Sequence, residues 1–363
     1  TCGDTYTADE VAALGHSWDD GTVTKEPTKE ETGTRKYTCT VCEETMEETI
    51  GKLGAVQRIS GSSRVKTALS VAAALKDTLG VEKFDAVVIA AGDNEKFADA
   101  LAGSYLANVK GAPILLYTAS GMSDLNVQFI QENLSEDGTI YLLGGANSIP
   151  DAATEKLADY KVERIAGSSR YTTNLAILKT AGVGNKEILV ATGKSFADSL
   201  SISAAGLPIL LIDGNASALR AEQIEFLEGL KGNKVTIIGG NNSVSVEMED
   251  AIEKVISAEV DRVSGNSRQM TSVEFAERYF EAPELALITY SDNFPDGLAG
   301  GPLAYAMGAP LLLTKEGKEA AAAEYIAENG IASGYVLGGT SSISDATARK
   351  VFGLSDEAVI TVK

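Results

Sequence analysis

Apolar residues follow two patterns along most of this chain: short continuous runs, and stripes with helical spacing. Ala86–Ala90 and Ile140–Leu143 are continuous runs, which are typical of strands covered on both faces. Before them, Thr67–Leu79 carries alanine, valine and leucine at helical spacing and ends at Gly80. Strands that alternate with helices in this way predict a parallel α/β sheet with helices on both faces.

Four short motifs recur in the same order three times, which predicts three units of roughly a hundred residues each. The motif R-[IV]-x-G-x-S-R has its two arginines at Arg58 and Arg64, Arg164 and Arg170, and Arg262 and Arg268. The motif F-[AP]-D-[AGS]-L has its aspartate at Asp99, Asp198 and Asp296. A P-[IL]-L-L run follows, and then a Gly-Gly pair at Gly144-Gly145, Gly239-Gly240 and Gly338-Gly339. Residues 55–160, 161–258 and 259–363 are the predicted units, after a segment of different character at 1–54.

Except for P-[IL]-L-L, every repeated motif lies where a predicted strand is followed by a helix. Such turns gather at the carboxyl edge of a parallel sheet, where ligands usually bind. We therefore expect Arg58 and Arg64 to approach Asp99 and the Gly144-Gly145 pair of the same unit.

The repeated residues have a structural and a functional interpretation. In the structural one, the aspartates cap helices, the glycines permit positive φ, and the arginines pair with the aspartates and join the units. In the functional one, arginines and the N–H groups at helix starts bind an anion. A module repeated three times favours a binder of a repeating anionic polymer over an enzyme, because linked weak sites gain avidity.

Composition narrows the choice of function. With 31 Lys+Arg against 51 Asp+Glu, the net charge is −20, which argues against nucleic-acid binding. No apolar run approaches the ~20 residues of a membrane span. The one histidine and the three cysteines all lie before residue 43. The repeated units therefore hold no cysteine nucleophile, no Ser-His triad and no histidine metal ligand.

The four ordered motifs resemble the type 2 cell wall-binding repeat of Gram-positive surface proteins, such as clostridial S-layer-associated proteins and some autolysins. The resemblance covers residue 55 to the end. It implies three flavodoxin- or Toprim-like α/β modules about a pseudo-threefold axis, with neither catalysis nor a cofactor. It also implies an extracellular protein held non-covalently by an anionic or teichoic-acid-like wall polymer, with other S-layer proteins as further partners. The arginines, aspartates and Gly-Gly pairs named above are the candidate polymer-binding residues.

The third unit departs from this pattern. Pro295 and Gly297 flank its aspartate, and Gln269-Met270 follows its second arginine. We therefore expect its site to contact ligand differently. No further R-[IV]-x-G-x-S-R follows the last strand, Ala358–Val362, so we expect this strand to close the assembly against the first unit.

The segment 1–54 contains His16, Cys39 and Cys42, and its Thr22–Lys25 and Arg35–Cys39 alternate like exposed strands. It resembles a short β repeat of Firmicute surface proteins, a complete copy spanning 15–54 and a partial one 1–14. That repeat usually carries a histidine, a lone cysteine and C-x-x-C, which together suit zinc. Lys29 stands at the lone-cysteine position here. Zinc, a Cys39–Cys42 disulfide and free thiols all stay open, while a thioredoxin-type site lacks its βαβ context. Cys2-Gly3-Asp4-Thr5 resembles the tail of a preceding copy, which predicts a sequence that begins within a repeat.

Two other classes of function compete with this interpretation. A wall hydrolase could use one of the aspartates with a second carboxylate as acid and base. Asp93 and Glu95 lie near Asp99, but Lys194 and Ser195 stand at the comparable places of the second unit, so no carboxylate pair recurs. A nucleotide-binding domain ranks last, because neither of the glycine-rich phosphate motifs is present at a strand-helix turn.

Overall fold

A computed structural model describes residues 15–25, 28, 31–50, 56–93 and 96–363. The strands are β1 (Thr22–Lys25), β2 (Gly33–Thr38), β3 (Thr45–Ile50), β4 (Val56–Ile59), β5 (Phe84–Ala91), β6 (Ile114–Tyr117), β7 (Leu134–Leu143), β8 (Lys161–Ile165), β9 (Ile188–Thr192), β10 (Ile209–Ile212), β11 (Val235–Ile238), β12 (Asp261–Val263), β13 (Ala286–Tyr290), β14 (Leu311–Thr314), β15 (Gly334–Leu337) and β16 (Thr361–Val362). The α-helices are α1 (Arg64–Leu79), α2 (Phe97–Lys110), α3 (Asp124–Asn133), α4 (Arg170–Ala181), α5 (Ala197–Ile202), α6 (Ala221–Glu228), α7 (Val246–Ile256), α8 (Arg268–Tyr279), α9 (Gly300–Ala306), α10 (Ala320–Glu328) and α11 (Asp345–Val351). Asp151–Leu157 and Ser203–Ala205 are 3₁₀ helices.

The predicted α/β class is confirmed, since three parallel sheets follow one another along the chain. Their strand orders are β6-β5-β7-β8, β10-β9-β11-β12 and β14-β13-β15-β4-β16. The inner strands of each sheet are almost completely buried, as their continuous apolar sequences require. A separate antiparallel sheet, β1-β2-β3, precedes them, in agreement with the alternation in the first segment.

The fourth strand of each parallel sheet comes from the segment that leads into the following unit. β8 pairs with β7, and β12 pairs with β11, although each is directly followed by the second arginine and first helix of the next unit. In the third sheet this position is taken by β4, from the beginning of the first unit, which pairs with β15. The units therefore form a closed ring, and the last strand, β16, pairs with β4 as expected.

Three phenylalanines meet at the centre of this ring. Phe97, Phe196 and Phe294 occupy the same place in the three copies of the F-[AP]-D motif. Their ring centroids are 6.2, 5.3 and 5.4 Å apart, so each ring contacts both of the others. This mutual contact confirms the predicted pseudo-threefold arrangement. No helix among the described residues is long and apolar enough to cross a membrane.

Candidate functional site

The Gly-Gly pair forms a tight turn at the carboxyl edge of each sheet. The first glycine has a φ of 99° at Gly144, 109° at Gly239 and 105° at Gly338, values that side-chain-bearing residues rarely adopt. Its N–H donates to the last carbonyl of the donated fourth strand, from Gly144 to Ile165 at 2.9 Å. The carbonyl of the second glycine accepts from the serine three residues later, as Gly145 does from Ser148 at 2.8 Å. The turn thus ties the donated strand to the sheet that receives it.

The aspartate of the F-[AP]-D motif packs directly against this turn. A Cβ atom added to Gly144 would lie 2.5 Å from Asp99 Oδ2, and one added to Gly239 would lie 2.5 Å from Asp198 Oδ2. Gly338 and Asp296 are in the same relation, and Ser342 donates to Asp296 Oδ2 at 2.7 Å. The predicted approach of aspartate and Gly-Gly pair within one unit is therefore confirmed.

The first arginine of each R-[IV]-x-G-x-S-R motif is bonded to the Gly-Gly turn of the preceding unit. Arg164 donates to Gly144 O at 2.8 Å and to Asp151 at 2.9 Å. Arg262 makes the equivalent bonds, both of 2.7 Å, to Gly239 O and Glu249. Arg58 donates to Gly338 O at 2.7 Å, to Ile343 O at 2.8 Å and to Asp345 at 2.7 Å, and it is only 3% exposed.

The second arginine begins the first helix of its unit, directly after the N-cap serine. Arg170 donates to Gly193 O at 2.6 Å within its own unit. Its guanidinium lies 5.6 Å from the centroid of the Phe97 ring in the preceding unit, in cation–π contact. Arg268 repeats both contacts, with Ser291 O at 2.6 Å and the Phe196 ring at 5.4 Å.

These positions correct the predicted grouping of the arginines. Arg58 and Arg64 do not join Asp99 and Gly144 of their own unit; Arg164 and Arg170 of the next unit take that place. Arg64 lies instead beside Asp296 and Ser342 of the third unit. The physical reason is that the fourth strand, which holds the first arginine, pairs in the sheet of the neighbouring unit. The second arginine follows this strand directly and is therefore placed at the same boundary between units. The first arginines, Arg58, Arg164 and Arg262, also donate hydrogen bonds to a Gly-Gly turn and to a carboxylate, which is the structural role weighed above for them.

The second arginine and the aspartate face each other across clefts between units. A cavity of about 300 Å³ between the first and second units is lined by Lys96, Asp99, Asn147, Ser168 and Arg170, among others. A cavity of about 320 Å³ between the third and first units contains Arg64, Asn293, Asp296 and Ser342. Lysine stands directly before the motif phenylalanine in the first unit, serine in the second and asparagine in the third. The sites therefore share the arginine and the aspartate but differ in charge at the residue before the phenylalanine.

Burial raises the pKa of Asp99 to about 6, although the positive charge of Arg170 and a hydrogen bond with Ser148 oppose the rise. Burial also raises the pKa of Asp198, against Ser243 and the charge of Arg268. The positive charge of the next unit's arginine thus favours the ionised form of the aspartate. The carboxylate is held in place between glycine turn, serine and arginine.

We expect Asp99→Asn to change how stability depends on pH. Because folding raises the pKa of Asp99, the folded protein binds this proton more tightly, and the free energy of unfolding falls as pH rises from about 4 to about 6. The asparagine variant lacks this titration. It should therefore gain about 1–3 kcal/mol relative to the wild type between acid and neutral pH. Urea unfolding on either side of this window measures the gain, and an equal difference at both pH values would contradict a buried, titrating Asp99.

Sequence reasoning missed the role of two repeated positions. In the sequence the motif phenylalanines are only part of a pattern. In the structure they meet at the centre of the three units, and the aromatic faces of Phe97 and Phe196 contact Arg170 and Arg268. The serine after each Gly-Gly pair, Ser148 in the first unit, bonds the aspartate. Its recurrence in all three copies was the signal that could have revealed it.

The histidine and cysteines of the first segment also come together. The ligand atoms of His16, Cys39 and Cys42 lie within 4.8 Å of one another. Backbone N–H groups of Val41 and Cys42 are the main cause that lowers the pKa of Cys39 to about 6. Both cysteines are free thiols, which excludes the Cys39–Cys42 disulfide from this structure. Lys29, the Cys2–Thr5 segment and Glu95 lie outside the described residues.

The family model for cell wall binding domain 2 matches residues 58–154, 164–249 and 262–348, which together make up most of the chain. Among curated proteins, the amidase enhancer of Bacillus subtilis (strain 168) is 29% identical over 79% of this chain and 39% of its own length. The N-acetylmuramoyl-L-alanine amidase LytC of the same organism is 23% identical over 82% of this chain and 58% of its own length. The chain thus spans between about two fifths and three fifths of these relatives.

Two solved structures have the same fold. Cwp8 from Clostridium difficile superposes with a TM-score of 0.73 at 24% identity, over 93% of this chain and 63% of its own. Cwp6 from the same organism superposes with a TM-score of 0.71 at 24% identity, over 89% of this chain and 51% of its own. Both likenesses extend over the three parallel sheets.

Proposed function

The chain belongs to the cell wall binding domain 2 family, and from this premise we propose that it anchors a surface protein non-covalently by binding an anionic wall polymer in the clefts between its units. Binding to the cell wall follows from the family itself, and so does a location at the wall or cell surface. The polymer's negative charge, the Gram-positive S-layer setting and the cleft residues are the parts that we propose. The division into units at 55–160, 161–258 and 259–363 is also a proposal.

One observation carries the proposal: a two-sided cleft of the same kind lies between the first and second units and between the third and first units. One side supplies the aspartate, its serine and the Gly-Gly turn; the other supplies the N-cap serine and an arginine at the start of a helix. In the first cleft Arg170 and Lys96 stand on opposite sides of a cavity of about 300 Å³. A guanidinium at a helix N-terminus suits phosphate or carboxylate groups of a polymer. The proposed contacts are therefore Arg64, Arg170 and Arg268, with the aspartates and Gly-Gly pairs as the frame that positions them.

The ring arrangement suits a repeating ligand. Sites on one rigid body that bind successive parts of a polymer act at high effective concentration, so modest single affinities combine. The net charge of −20 repels a polyanion elsewhere on the surface. Binding is thereby directed to the clefts, where Lys96 and Arg170 line the first and Arg64 lines the one between the third and first units.

We also propose that these units bind without catalysing a reaction. The relatives named as an amidase and an amidase enhancer extend well beyond the length that matches this chain. In the first unit, Asp99 is packed against Gly144, Ser148 and Arg170, an arrangement that positions a turn. Incubation with purified walls should release no new reducing ends or amino groups, and release above that of buffer would revive the hydrolase alternative.

Sedimentation with purified cell walls tests the proposed ligand. The chain should pellet with intact walls and stay in solution with walls from which the anionic polymer has been removed. Added free polymer should compete for the protein. Unchanged binding to stripped peptidoglycan would refute recognition of the polymer.

Charge reversal in the first cleft tests the site. We expect Lys96→Glu to weaken wall binding about tenfold, since it replaces an attractive charge by a repulsive one at one of several linked sites. Lys83→Glu makes the same change on an exposed residue at the opposite end of β5 and serves as the matched control. Equal wall binding by the two variants would contradict the proposal that the polymer binds in the first cleft. The salt dependence of binding should also become shallower in Lys96→Glu alone.

A further inference from the structure

A histidine and two cysteines converge in the small antiparallel sheet, away from the clefts. His16 Nδ1 lies 3.3 Å from Cys42 Sγ, and the ligand atoms of His16, Cys39 and Cys42 all lie within 4.8 Å of one another. Cys39 is buried, whereas Cys42 and His16 are exposed on its solvent side. One nitrogen and two sulfur atoms thus face a common point next to solvent.

The backbone fixes this convergence. Trp18 forms a β-bridge with Cys39, and Thr40 N–H donates to Ser17 O at 2.8 Å, so the chain after His16 runs beside the C-x-x-C segment. The C-x-x-C segment itself is a tight turn, closed by a 2.7 Å bond from Cys39 N–H to Glu44 O. Its next residue, Glu43, has a φ of 62°. Distant parts of the sequence are therefore held together by main-chain bonds, independently of the three side chains.

We propose that His16, Cys39 and Cys42 bind a zinc ion, with water in the fourth position. Two thiolates and an imidazole are a ligand set that zinc accepts in tetrahedral geometry. From Zn–S and Zn–N bond lengths, ligand atoms on one zinc ion are roughly 3.5–3.8 Å apart. The 3.3 Å pair is about 0.2 Å shorter than this spacing, and the widest gap must close by about 1 Å. Rotation of the exposed Cys42 and His16 side chains supplies both adjustments.

Glu44 completes the arrangement behind the histidine. Its carboxylate lies 3.4 Å from His16 Nε2, on the side of the ring opposite Cys42. An acceptor at Nε2 holds the proton there and leaves the Nδ1 lone pair free to bind a metal. Carboxylate–histidine–metal chains of this kind orient the ligand and raise its basicity.

Few apolar side chains are buried within the described part of the sheet itself. In the described part of 15–50, Cys39 is the one apolar side chain that is buried. A three-stranded sheet without a hydrophobic core is marginal by itself, and small folds of this type are commonly held by a metal or disulfides. Zinc would join the β1–β3 sheet to the strand segment around Trp18, and its loss would loosen this sheet while leaving the three-unit ring intact.

Metal analysis of the full chain tests the proposal. The reduced protein, loaded with zinc and freed of excess metal by gel filtration, should retain about one zinc per chain by mass spectrometry. Replacement by Co²⁺ should give the visible bands of a tetrahedral site with thiolate charge transfer. A protein that retains no zinc, or a Co²⁺ spectrum of octahedral type without charge transfer, would overturn the site. So would a Cys39–Cys42 disulfide found by peptide mapping of protein prepared without oxidant.

Variants separate this site from general metal binding to an acidic protein. Cys42→Ser should abolish retention, and because Cys42 is exposed, the melting of the three-unit ring should not change. Glu44→Gln should weaken zinc binding 10–100-fold, the effect expected for the partner of a ligating histidine. Glu43→Gln makes the same change one residue away and should bind zinc as the wild type does. Equal loss in Glu43→Gln and Glu44→Gln would show that charge alone holds the metal and would overturn the proposed geometry.

Discussion

Gly144→Ala is expected to destabilise the protein by about 3 kcal/mol or more, while Gly145→Ala, one residue later, leaves it nearly unchanged. At Gly144 the new methyl group would lie 2.5 Å from Asp99 Oδ2, and the φ of 99° is a strained value for alanine. At Gly145 an added Cβ meets no atom within 4 Å. The two substitutions are chemically identical, so their difference measures the backbone strain and the close packing at Gly144 together.

Urea or thermal unfolding of the two alanine variants measures this difference. The double variant Asp99→Ala with Gly144→Ala should recover part of the loss, because the contact with the carboxylate is removed, while the backbone strain and the 3.0 Å approach to Ser148 Cβ stay. Similar stability of Gly144→Ala and Gly145→Ala would show that the aspartate does not pack against the turn. Gly239 and Gly240 offer the same comparison in the second unit.

Arg58→Ala is expected to cost about 3 kcal/mol and to open the ring. Arg58 joins the start of the described ring to its end, since its partners Gly338 O, Ile343 O and Asp345 lie about 280 residues further along the chain. Its removal leaves two carbonyls and a carboxylate without their donor. Because Arg58 is only 3% exposed, water cannot replace the lost bonds without rearrangement.

Arg164→Ala is the matched control for this ring closure. Arg164 makes the equivalent bonds between the first and second units, but its side chain is 24% exposed and its partner Asp151 is 83% exposed. Solvent screens that pair, and continuous chain already joins these two units, so the cost should be about 1 kcal/mol. Stability is read from urea unfolding and opening of the ring from limited proteolysis near β4 and β16. Equal losses in Arg58→Ala and Arg164→Ala would show that closure does not depend on Arg58.

Both predictions rest on residues that were first grouped as candidates for ligand binding. The structure divides the group by its contacts. The first arginines and the first glycines hold donated strands in place, whereas Arg64, Arg170 and Lys96 line clefts between units. A residue that recurs in all three units can therefore serve either to hold the fold together or to bind the ligand. Only its contacts in the structure distinguish these two roles.

The sequence by itself determined the α/β class, the repeat and the order of elements. A strand buried on both faces has a continuous apolar run, and a helix buried on one side has apolar residues at helical spacing, so both can be recognised locally. It also brought Asp99 to Gly144-Gly145, since turns at the same edge of one sheet are neighbours. The pairing of Cys39 and Cys42 with His16 was visible only as a possibility from residue types.

Only the tertiary structure decided which unit each arginine serves. Arg58 lies in β4 and Arg64 follows it along the chain, but β4 pairs in the sheet of the third unit. β8 and β12 likewise pair in the sheet of the preceding unit. A strand's local sequence records that it is buried and extended, and carries no mark of the sheet that accepts it. That choice is made by the packing of whole units around Phe97, Phe196 and Phe294, where contacts between residues about a hundred positions apart outweigh proximity along the chain.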